Sequence, residues 1–589
     1  MSTNNFTVAD YLLTRLKEQG LEKIFQVPGD YVQEFMSALD KFDGIDAVGD
    51  ITELGAGYAA EGYARYRGIG AVSVQYGVGT LSVINAIAGA YVERNPVVVI
   101  TASPSIDDRK IIADTGALFH HSTGNYNSNQ VIFESVTVAS EILSDPEMAP
   151  TIIDAALACA IKEKRPIYLE AWQNVWGAEC KAPMQPLVIT DSPANLGMQK
   201  TLLQQTIQKL ESAKQPIIML GIEIARLGLQ DKVESLLHLL NIPYTTSTLA
   251  KSVISERSEI SHKLFVGTYA GEASLPETFD YVSQCDAVLA LGVIFTDDYI
   301  TMLTNQGSDL IRVNMDGALV GNSDHFIHTS LAVFINELIA HFLCSSVGFN
   351  VTFSKPDNFG LNALPLTKHS DLCCQISYES FFAFYQQELN ESSPLKRYNL
   401  ILGESSSLYM AARLIGIEKN HFVSDAAWGS LGHETGCSLG VSLANDNRSI
   451  VIAGDGGFMM MCQTLSTLRR NHCNTAVFVM SNEVYAIEQS FVDICAFTPE
   501  GKFAPFDELP SWDYEALAQA YGVKYLNVNS VANLQDAFNI LYENTSAPYL
   551  IKVDIARDDL APAIQTLAES VTGQKRDECL CHKDNKGNI

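Results

Sequence analysis

The amino-acid sequence predicts an α/β protein with three domains, each built on a central, mostly parallel sheet that is flanked by helices. The chain has 589 residues, whereas a single hydrophobic core stops growing near ~250–300 residues, so several domains are expected. Short β-branched runs alternate along the chain with helical patterns, which is typical of parallel α/β sheets. Two polar, proline-bearing stretches interrupt this alternation and predict linkers.

The first domain is predicted for residues 1–183. Apolar residues at Val8, Leu12 and Leu16, followed by Gly20, predict an initial helix. Further elements are predicted from the same patterns: strands over 23–27, 71–75 and 97–101 and a helix over 81–92.

The other two domains are predicted for residues 195–345 and 370–562, with a C-terminal tail over 563–589. Prolines at 183, 186 and 193 mark the first linker, and the polar stretch 345–370 marks the second. The strands that define these domains are predicted at 216–220, 287–291, 400–403, 450–453 and 475–480.

Composition excludes several classes of partner. Hydrophobic residues make up 47% of the chain, and 39 Lys and Arg against 68 Asp and Glu give a net charge of −29. Such a field repels phosphate backbones and anionic lipids, so neither nucleic-acid nor membrane binding is expected. We find no signal peptide and no apolar run of the ~20 residues that span a bilayer, so a cytoplasmic location is expected. Its twelve cysteines are interpreted as reduced thiols.

The tail carries Cys579, Cys581 and His582. These residue types could bind a metal, but the set lacks a fourth ligand and a spaced partner. A frayed terminus is therefore the preferred interpretation.

The most informative stretch runs from residue 450 to residue 488. A β-branched strand leads into Gly454-Asp455-Gly456-Gly457, a helical segment and a second strand follow, and Ser481-Asn482 ends it. The 27 residues that separate Asp455 from Asn482 fit one βαβ unit, whose crossover brings the carboxyl ends of its strands together. Asp455 and Asn482 are therefore expected to face one crevice.

This arrangement predicts a site for a phosphate and Mg²⁺. The glycines allow backbone N–H groups to approach a phosphate, and the two side chains offer hard oxygen ligands. A Gly-Asp-Gly alone is first of all a turn, so the spacing carries the prediction. The competing Gly77-Val78-Gly79 lacks the third glycine of a dinucleotide loop, and no Walker A pattern occurs.

These residues resemble the thiamine diphosphate-dependent 2-oxo-acid decarboxylases, the family of the pyruvate, indolepyruvate and branched-chain oxo-acid enzymes. The resemblance spans most of the chain. It rests on five segments in the family's order: Val27-Pro28-Gly29-Asp30, the stretch from Glu53 to Arg65, His120-His121, Gly454 to Asn482, and Val484 to Glu488. It implies a pyrimidine-binding first domain, a central domain and a diphosphate-binding third domain.

The resemblance also implies roles for individual residues. Glu53 would hydrogen-bond the aminopyrimidine ring of the cofactor and so activate it. The carbonyl of Gly429 would accept a hydrogen bond from the same ring, and Leu431 would hold the cofactor bent. The remaining cofactor-binding positions implied are Gly454, Asp455, Gly456, Gly457, Asn482, Val484 and Ile487.

Three of these positions are the implied ligands of Mg²⁺: Asp455, Asn482 and the backbone carbonyl of Val484. The family usually has Asn-Asn and a glycine here, whereas this chain has Ser481-Asn482 and Val484. Valine needs an ordinary φ where glycine is permissive.

Proton transfer is implied for Asp30, His120, His121 and Glu488. Clustered acids and imidazoles shift one another's pKa values, which allows one of them to donate a proton near pH 7. By themselves the two histidines would be interpreted as ordinary loop residues. Together with the two acids, they favour simple decarboxylation over carboligation.

Two residues are expected to set the size of the substrate pocket. Leu408 stands where pyruvate enzymes tend to have tryptophan, so a wider pocket is expected, and Phe491 would fill part of it. Glu404 is an unexpected carboxylate beside Ser405.

The predicted function is non-oxidative decarboxylation of a 2-oxo acid to an aldehyde and CO₂, with thiamine diphosphate and Mg²⁺. The alternatives are a carboligase or lyase on the same scaffold, which would yield a 2-hydroxyketone, and an inactive cofactor-binding homologue. The family places each cofactor between the first domain of one chain and the third domain of another. A homodimer is therefore the expected minimum, and a homotetramer the expected assembly.

Overall fold

The computed structural model describes residues 6–189, 196–323, 325–345, 355, 375–390, 393–544 and 546–581. It contains three six-stranded sheets in succession along the chain, which confirms the predicted fold class. The predicted domain boundaries stay predictions. The end of the first predicted linker, residues 190–195, and most of the second, within residues 346–374, lie outside the described residues.

The first sheet has the strand order β2-β1-β3-β4-β6-β5, and all its pairs are parallel. Its strands are β1 (Lys23–Gln26), β2 (Asp46–Gly49), β3 (Gly70–Ser73), β4 (Val97–Ser103), β5 (Ala139–Leu143) and β6 (Ile167–Trp172). The helices of this section are α1 (Val8–Glu18), α2 (Gln33–Leu39), α3 (Glu53–Arg67), α4 (Val78–Val92), α5 (Ile106–Thr115), α6 (Ser128–Phe133), α7 (Ala149–Glu163) and α8 (Gln173–Trp176). Every residue of β4 is buried, as expected for a central parallel strand.

The second sheet has the order β12-β11-β10-β7-β8-β9 and is parallel except for the edge pair β11–β12. Its strands are β7 (Pro216–Leu220), β8 (Tyr244–Ser247), β9 (Phe265–Tyr269), β10 (Ala287–Leu291), β11 (Leu310–Asn314) and β12 (Gly317–Val320). Its helices are α9 (Leu196–Ser212), α10 (Glu223–Arg226), α11 (Gln230–Leu240), α12 (Glu259–Leu264), α13 (Pro276–Ser283), α14 (Ile300–Gln306) and α15 (Leu331–Ser345).

The third sheet has the order β14-β13-β15-β16-β18-β17 and is parallel throughout. Its strands are β13 (Asn399–Leu402), β14 (Phe422–Ser424), β15 (Ser449–Gly454), β16 (Thr475–Ser481), β17 (Lys524–Val528) and β18 (Tyr549–Asp554). Its helices are α16 (Tyr378–Asn390), α17 (Ser406–Ala412), α18 (His433–Ala444), α19 (Asp455–Met461), α20 (Thr464–Arg470), α21 (Ala486–Val492), α22 (Tyr514–Tyr521), α23 (Val531–Glu543), α24 (Pro562–Thr572) and α25 (Arg576–Cys581).

The first and third sheets share one topology. In each, the first strand lies between the second and the third, so the chain reverses its direction of travel across the sheet at that point. Ligands of open α/β sheets bind at such switch points, outside the carboxyl ends of the strands. Ligand sites are therefore expected at the carboxyl ends of β1 and β3 in the first sheet and of β13 and β15 in the third.

The chain separates into two compact units. The first comprises Met1–Ser192, Thr435–Asp446 and Met461–Cys473, and the second comprises Pro193–Glu434, Asn447–Met460 and Asn474–Ile589. The second and third sheets thus belong to one unit. No helix among the described residues is long and apolar enough to cross a membrane.

The interpretation of all cysteines as reduced thiols is wrong for one pair. Cys495 and Cys579 form a disulfide, with Cα atoms 5.6 Å apart. The tail is also ordered further than expected, because Arg576 at the start of α25 donates to the carbonyl of Phe497 at 2.6 Å. His582 lies outside the described residues.

Candidate active site

A cavity lies at the switch point of the third sheet. Loops that follow three neighbouring strands, β13, β15 and β16, form its wall. Its lining contains most of the predicted cofactor-binding positions, together with Glu488, which was predicted for proton transfer: Leu431, Gly454, Asp455, Gly456, Gly457, Asn482, Val484, Ile487 and Glu488. Six further residues complete it: Tyr378, Glu404, Ser405, Ser406, Tyr485 and Ala486. We call it the cofactor cavity.

Asp455 occupies the junction between β15 and α19. Its side chain is buried, with 2% of the residue exposed. One carboxylate oxygen accepts from the N–H of Gly456 at 3.0 Å and the other from the N–H of Glu483 at 2.7 Å. Burial nevertheless raises the pKa of Asp455 to about 6. A buried carboxylate of this kind is stabilised by a cation, which makes the position suitable for a metal ligand.

The backbone of the loop after β16 accommodates valine at position 484. The residue with a left-handed backbone is Glu483, at φ 60°, and Val484 is not among the residues of positive φ. Valine therefore replaces the family's glycine without backbone strain. The side-chain oxygen of Asn482 accepts from the N–H of Val484 at 3.3 Å, which orients the amide within the loop.

Two positions at the end of β15 and in the loop after it are suited to glycine for different physical reasons. A Cβ atom on Gly456 would lie 2.4 Å from the ring of Tyr485, so no side chain fits there. A Cβ on Gly454 would meet nothing within 4 Å. The backbone at Gly454 thus borders open space in the cavity, as a loop that receives a phosphate requires.

Gly429 and Leu431 lie on the loop between β14 and α18. Gly429 has φ 70°, and Asp425 holds the loop by accepting from the N–H of Gly429 at 3.1 Å and of Ser430 at 2.6 Å. Leu431 lines the cofactor cavity. Gly429 lines a neighbouring cavity.

This second cavity, which we call the side-chain cavity, has a volume of about 500 Å³ and shares Glu404 and Ile487 with the cofactor cavity. Phe491 lines it, and its role in a substrate pocket stays a prediction. Leu408 is 1% exposed and packs in the hydrophobic core, away from the lining of both cavities. The role of Leu408 in setting pocket size therefore stays a prediction.

Glu404 lies where the two cavities meet. Burial, reinforced by the negative charge of Asp298, raises its pKa to about 8. Burial and the adjacent Asp297 raise the pKa of Asp298 to about 6. The hydroxyl of Tyr409 hydrogen-bonds with both Glu404 and Asp298.

A second group of predicted residues lies at the switch point of the first sheet. The carboxylate of Asp30, after β1, accepts from the side-chain amide of Gln75, after β3. Tyr31 links this pair to the histidines: its hydroxyl donates to the carbonyl of His120 at 3.4 Å, and its ring centroid lies 6.2 Å from that of His121. The structure therefore brings Asp30, His120 and His121 together.

Glu53 is the first residue of α3 and is half-buried. Thr52 caps this helix by accepting from the N–H of Gly55 at 3.0 Å. The Glu53 side chain packs beside Gly79, where a Cβ atom would lie 3.5 Å from its Cγ and 3.3 Å from the Cβ of Gln75. Glu53 thus neighbours the Asp30 group, whereas Glu488 belongs to the other compact unit.

The Gly77-Val78-Gly79 segment, disfavoured as a nucleotide loop, has a packing role in this group. Gly77 has φ 67°, and a Cβ atom there would lie 1.9 Å from the carbonyl oxygen of His121. Glycine is therefore required both by the backbone conformation and by the approach of the histidine loop.

Sequence reasoning missed several residues of both groups. Gln75 and Tyr31 hold the Asp30 group, and Tyr409 hydrogen-bonds with both Glu404 and Asp298. Only Gln75 had a signal, as a polar residue just beyond a buried strand. Asp298 belongs to the part of the chain that forms the second sheet, and no local sequence pattern connects it to residue 404.

Comparisons with known proteins agree with this geometry. Three family models match in order: the N-terminal TPP binding domain of thiamine pyrophosphate enzymes over residues 6–130, their central domain over 203–339 and their C-terminal TPP binding domain over 405–553. Together they span most of the chain.

Individual relatives extend over nearly the full length. The chain is 27% identical to a pyruvate decarboxylase of Aspergillus fumigatus over 97% of both chains. It is 29% identical to pyruvate decarboxylase 2 of Oryza sativa subsp. japonica over 88% of this chain and 83% of the relative. The crystal structure of benzoylformate decarboxylase from Polynucleobacter necessarius superposes with a TM-score of 0.73 at 18% identity, covering 94% of this chain and 99% of that one, and shows the shared fold.

Proposed function

Because this chain belongs to the thiamine diphosphate-dependent 2-oxo-acid decarboxylase family, we propose that it converts a 2-oxo acid to an aldehyde and CO₂ without oxidation, using thiamine diphosphate and Mg²⁺. The observation that carries this proposal is the cofactor cavity, in which Asp455, Asn482 and Val484 meet beside the open backbone of Gly454.

The residues present fit both groups. Asp455, Asn482 and the carbonyl of Val484 are oxygen donors, which Mg²⁺ prefers, and Asp455 is a buried carboxylate that a cation would stabilise. Gly454, Gly456 and Gly457 line the cavity and carry no side chain that would block the approach of a diphosphate to the backbone.

Thiamine diphosphate, when bound, supplies a nucleophilic carbon and an electron sink for loss of CO₂. Glu53 would hold a proton at the aminopyrimidine ring, and the carbonyl of Gly429 would accept a hydrogen bond from it. Leu431 would support the cofactor from below.

Release of an aldehyde requires a proton on the former 2-oxo carbon. We assign its delivery to Asp30, His120 and His121 on one side and to Glu488 on the other. Tyr31 and Gln75 orient the first three, because they contact the histidine loop and the Asp30 carboxylate.

We also propose a homodimer as the minimum active assembly and a homotetramer as the full one. The family arrangement requires Glu53 and Asp455 of one site to come from different subunits. An active, cofactor-loaded monomer in sedimentation velocity would contradict this.

Aldehyde formation tests the function. Purified protein with thiamine diphosphate and Mg²⁺ is given pyruvate, 4-methyl-2-oxopentanoate, phenylpyruvate and indolepyruvate, and aldehyde is measured by coupled reduction. Turnover of any of them supports the proposal. A 2-hydroxyketone without aldehyde would identify a carboligase, and cofactor binding without turnover would identify an inactive homologue.

The metal assignment is tested by the D455N variant. Loss of the charged ligand is expected to weaken Mg²⁺-dependent binding of thiamine diphosphate at least ~10-fold, measured by fluorescence quenching. D446N, which changes an aspartate outside the cofactor cavity by the same charge, is the control. Equal cofactor affinity in D455N and the control would refute the assignment.

A further inference from the structure

The residues that line the side-chain cavity bear on the choice of substrate, because this cavity lies beside the cofactor cavity. It opens next to Glu404 and Ile487, which line both cavities. A 2-oxo acid reacting in the cofactor cavity would therefore project its side chain into the second one. This step rests on the proposed function.

One part of the cavity lining is apolar, and we call it the apolar wall. Ile300, Phe491, Leu567 and Val571 line it, and the first two are 58% and 38% exposed. Such a surface suits a chain of methylene groups, which gain free energy by leaving water. Helix α24 contributes two residues to this apolar surface, because positions 567 and 571 lie one turn apart on the same side of the helix.

A second part of the lining is acidic, and we call it the acidic wall. Four carboxylates line it: Glu272, Asp297, Asp298 and Glu404. Among the described residues of the lining none is Lys or Arg, and none of the four carboxylates forms an ion pair within the described chain.

Neutral donors partly satisfy these acids. Thr301 donates to Glu272 at 2.5 Å, Thr296 donates to Asp298 at 3.4 Å, and Tyr409 hydrogen-bonds with Asp298 and Glu404. Hydrogen bonds from hydroxyls orient the carboxylates but leave their charge uncompensated. Burial, and after it the repulsion between neighbouring acids, raises the pKa values of Glu404 and Asp298, and a cation bound beside them would lower both pKa values again.

We propose that the side-chain cavity selects a 2-oxo acid whose side chain is a methylene chain ending in a cation, such as a guanidinium or ammonium group. The apolar wall would hold the chain, and the carboxylates would pair with its charged end. Transamination or oxidative deamination of a basic amino acid produces substrates of this class. A substrate with a second carboxylate would be repelled.

Two substrates of equal shape test the charge alone. The specificity constant kcat/KM is measured for 5-guanidino-2-oxopentanoate and for the neutral 2-oxo-5-ureidopentanoate, with 2-oxoglutarate as the anionic case. We expect the guanidino acid to be preferred over the ureido acid at least ~10-fold, and 2-oxoglutarate to be the poorest.

Variants assign the preference to the acidic wall. The D297N and D298N variants should each lower the guanidino-to-ureido ratio at least ~3-fold, mainly through KM of the guanidino acid, since a ratio cancels any general loss of activity. Asp297 is exposed, so D297N gives a test that does not depend on a buried position. D280N, at an exposed aspartate on α13 outside the lining, should keep the wild-type ratio.

The outcomes separate the two proposals. Aldehyde from uncharged 2-oxo acids with a guanidino-to-ureido ratio of one or less would overturn the inference and leave the decarboxylase assignment intact. A preference that D297N, D298N and D280N alter equally would also overturn it. Absence of aldehyde from every substrate, with the cofactor bound, would overturn the proposed function itself.

Discussion

Glu404 provides a quantitative prediction about the stability of the protein. Burial and the charge of Asp298 raise its pKa from 4.5 to about 8. The folded state therefore binds this proton more tightly than the unfolded chain does. Relative to an uncharged residue, Glu404 costs nothing well below pH 4.5; its cost grows as the pH rises from 4.5 to about 8 and is constant at higher pH. The E404Q variant should accordingly gain stability over the wild type as the pH increases.

The size of this stability difference follows from the shift in the pKa of Glu404. A rise from 4.5 to about 8 corresponds to about 5 kcal/mol of unfolding free energy, at ~1.4 kcal/mol for each pKa unit. Asp298, Asp425 and Glu488 contribute to that rise, and their repulsion is lost together with the charge of Glu404. Relaxation of the protein and penetration of water around a buried charge make its effective cost smaller than this figure. We expect E404Q to be about 2 kcal/mol more stable than wild type at pH 8 and equal to it at pH 5.

Urea unfolding of the cofactor-free protein, followed by tryptophan fluorescence at pH 5 and pH 8, measures this difference. E211Q is the matched control, since Glu211 is an exposed residue of α9 and should give no pH-dependent change. If the stability difference between E404Q and wild type were the same at both pH values, or if E211Q reproduced it, the reasoning would be refuted.

Three further variants test other parts of the structure. E53Q should abolish aldehyde formation while retaining cofactor affinity within ~3-fold; unchanged turnover would remove Glu53 from the mechanism. K251M should lower the unfolding free energy by about 3–5 kcal/mol, because the Lys251 ammonium is fully buried and lies 2.8 Å from Glu256; an exposed lysine changed in the same way is the control for the denaturant midpoint. C579S should cost about 3 kcal/mol in oxidised protein, because the disulfide to Cys495 closes a span of 84 residues; reductant should shift the midpoint of the wild type only, and an equal shift in C579S would contradict the bond.

Local sequence was sufficient for the fold and for bringing Asp455 and Asn482 to one edge of the third sheet. Alternating β-branched strands and helices specify parallel sheets, since each parallel pair needs a crossover. The strand that ends at Gly454 and the one that ends at Ser481 pair directly, so Asp455 and Asn482 are neighbours for the reason that their spacing suggested. The family resemblance added Glu53, Asp30 and the histidines, whose roles remain proposals.

Tertiary structure alone determined which distant residues share a surface. Asp298 from the section of the second sheet, Glu404 from the third and Leu567 from α24 line one cavity, although more than 100 residues separate each from the next along the chain. The disulfide between Cys495 and Cys579 likewise joins two residues that are distant along the chain. Sequence periodicity reports which side of a helix or strand is buried, because that depends on local geometry. It contains no information about the partner across a loop, because packing between elements fixes that choice.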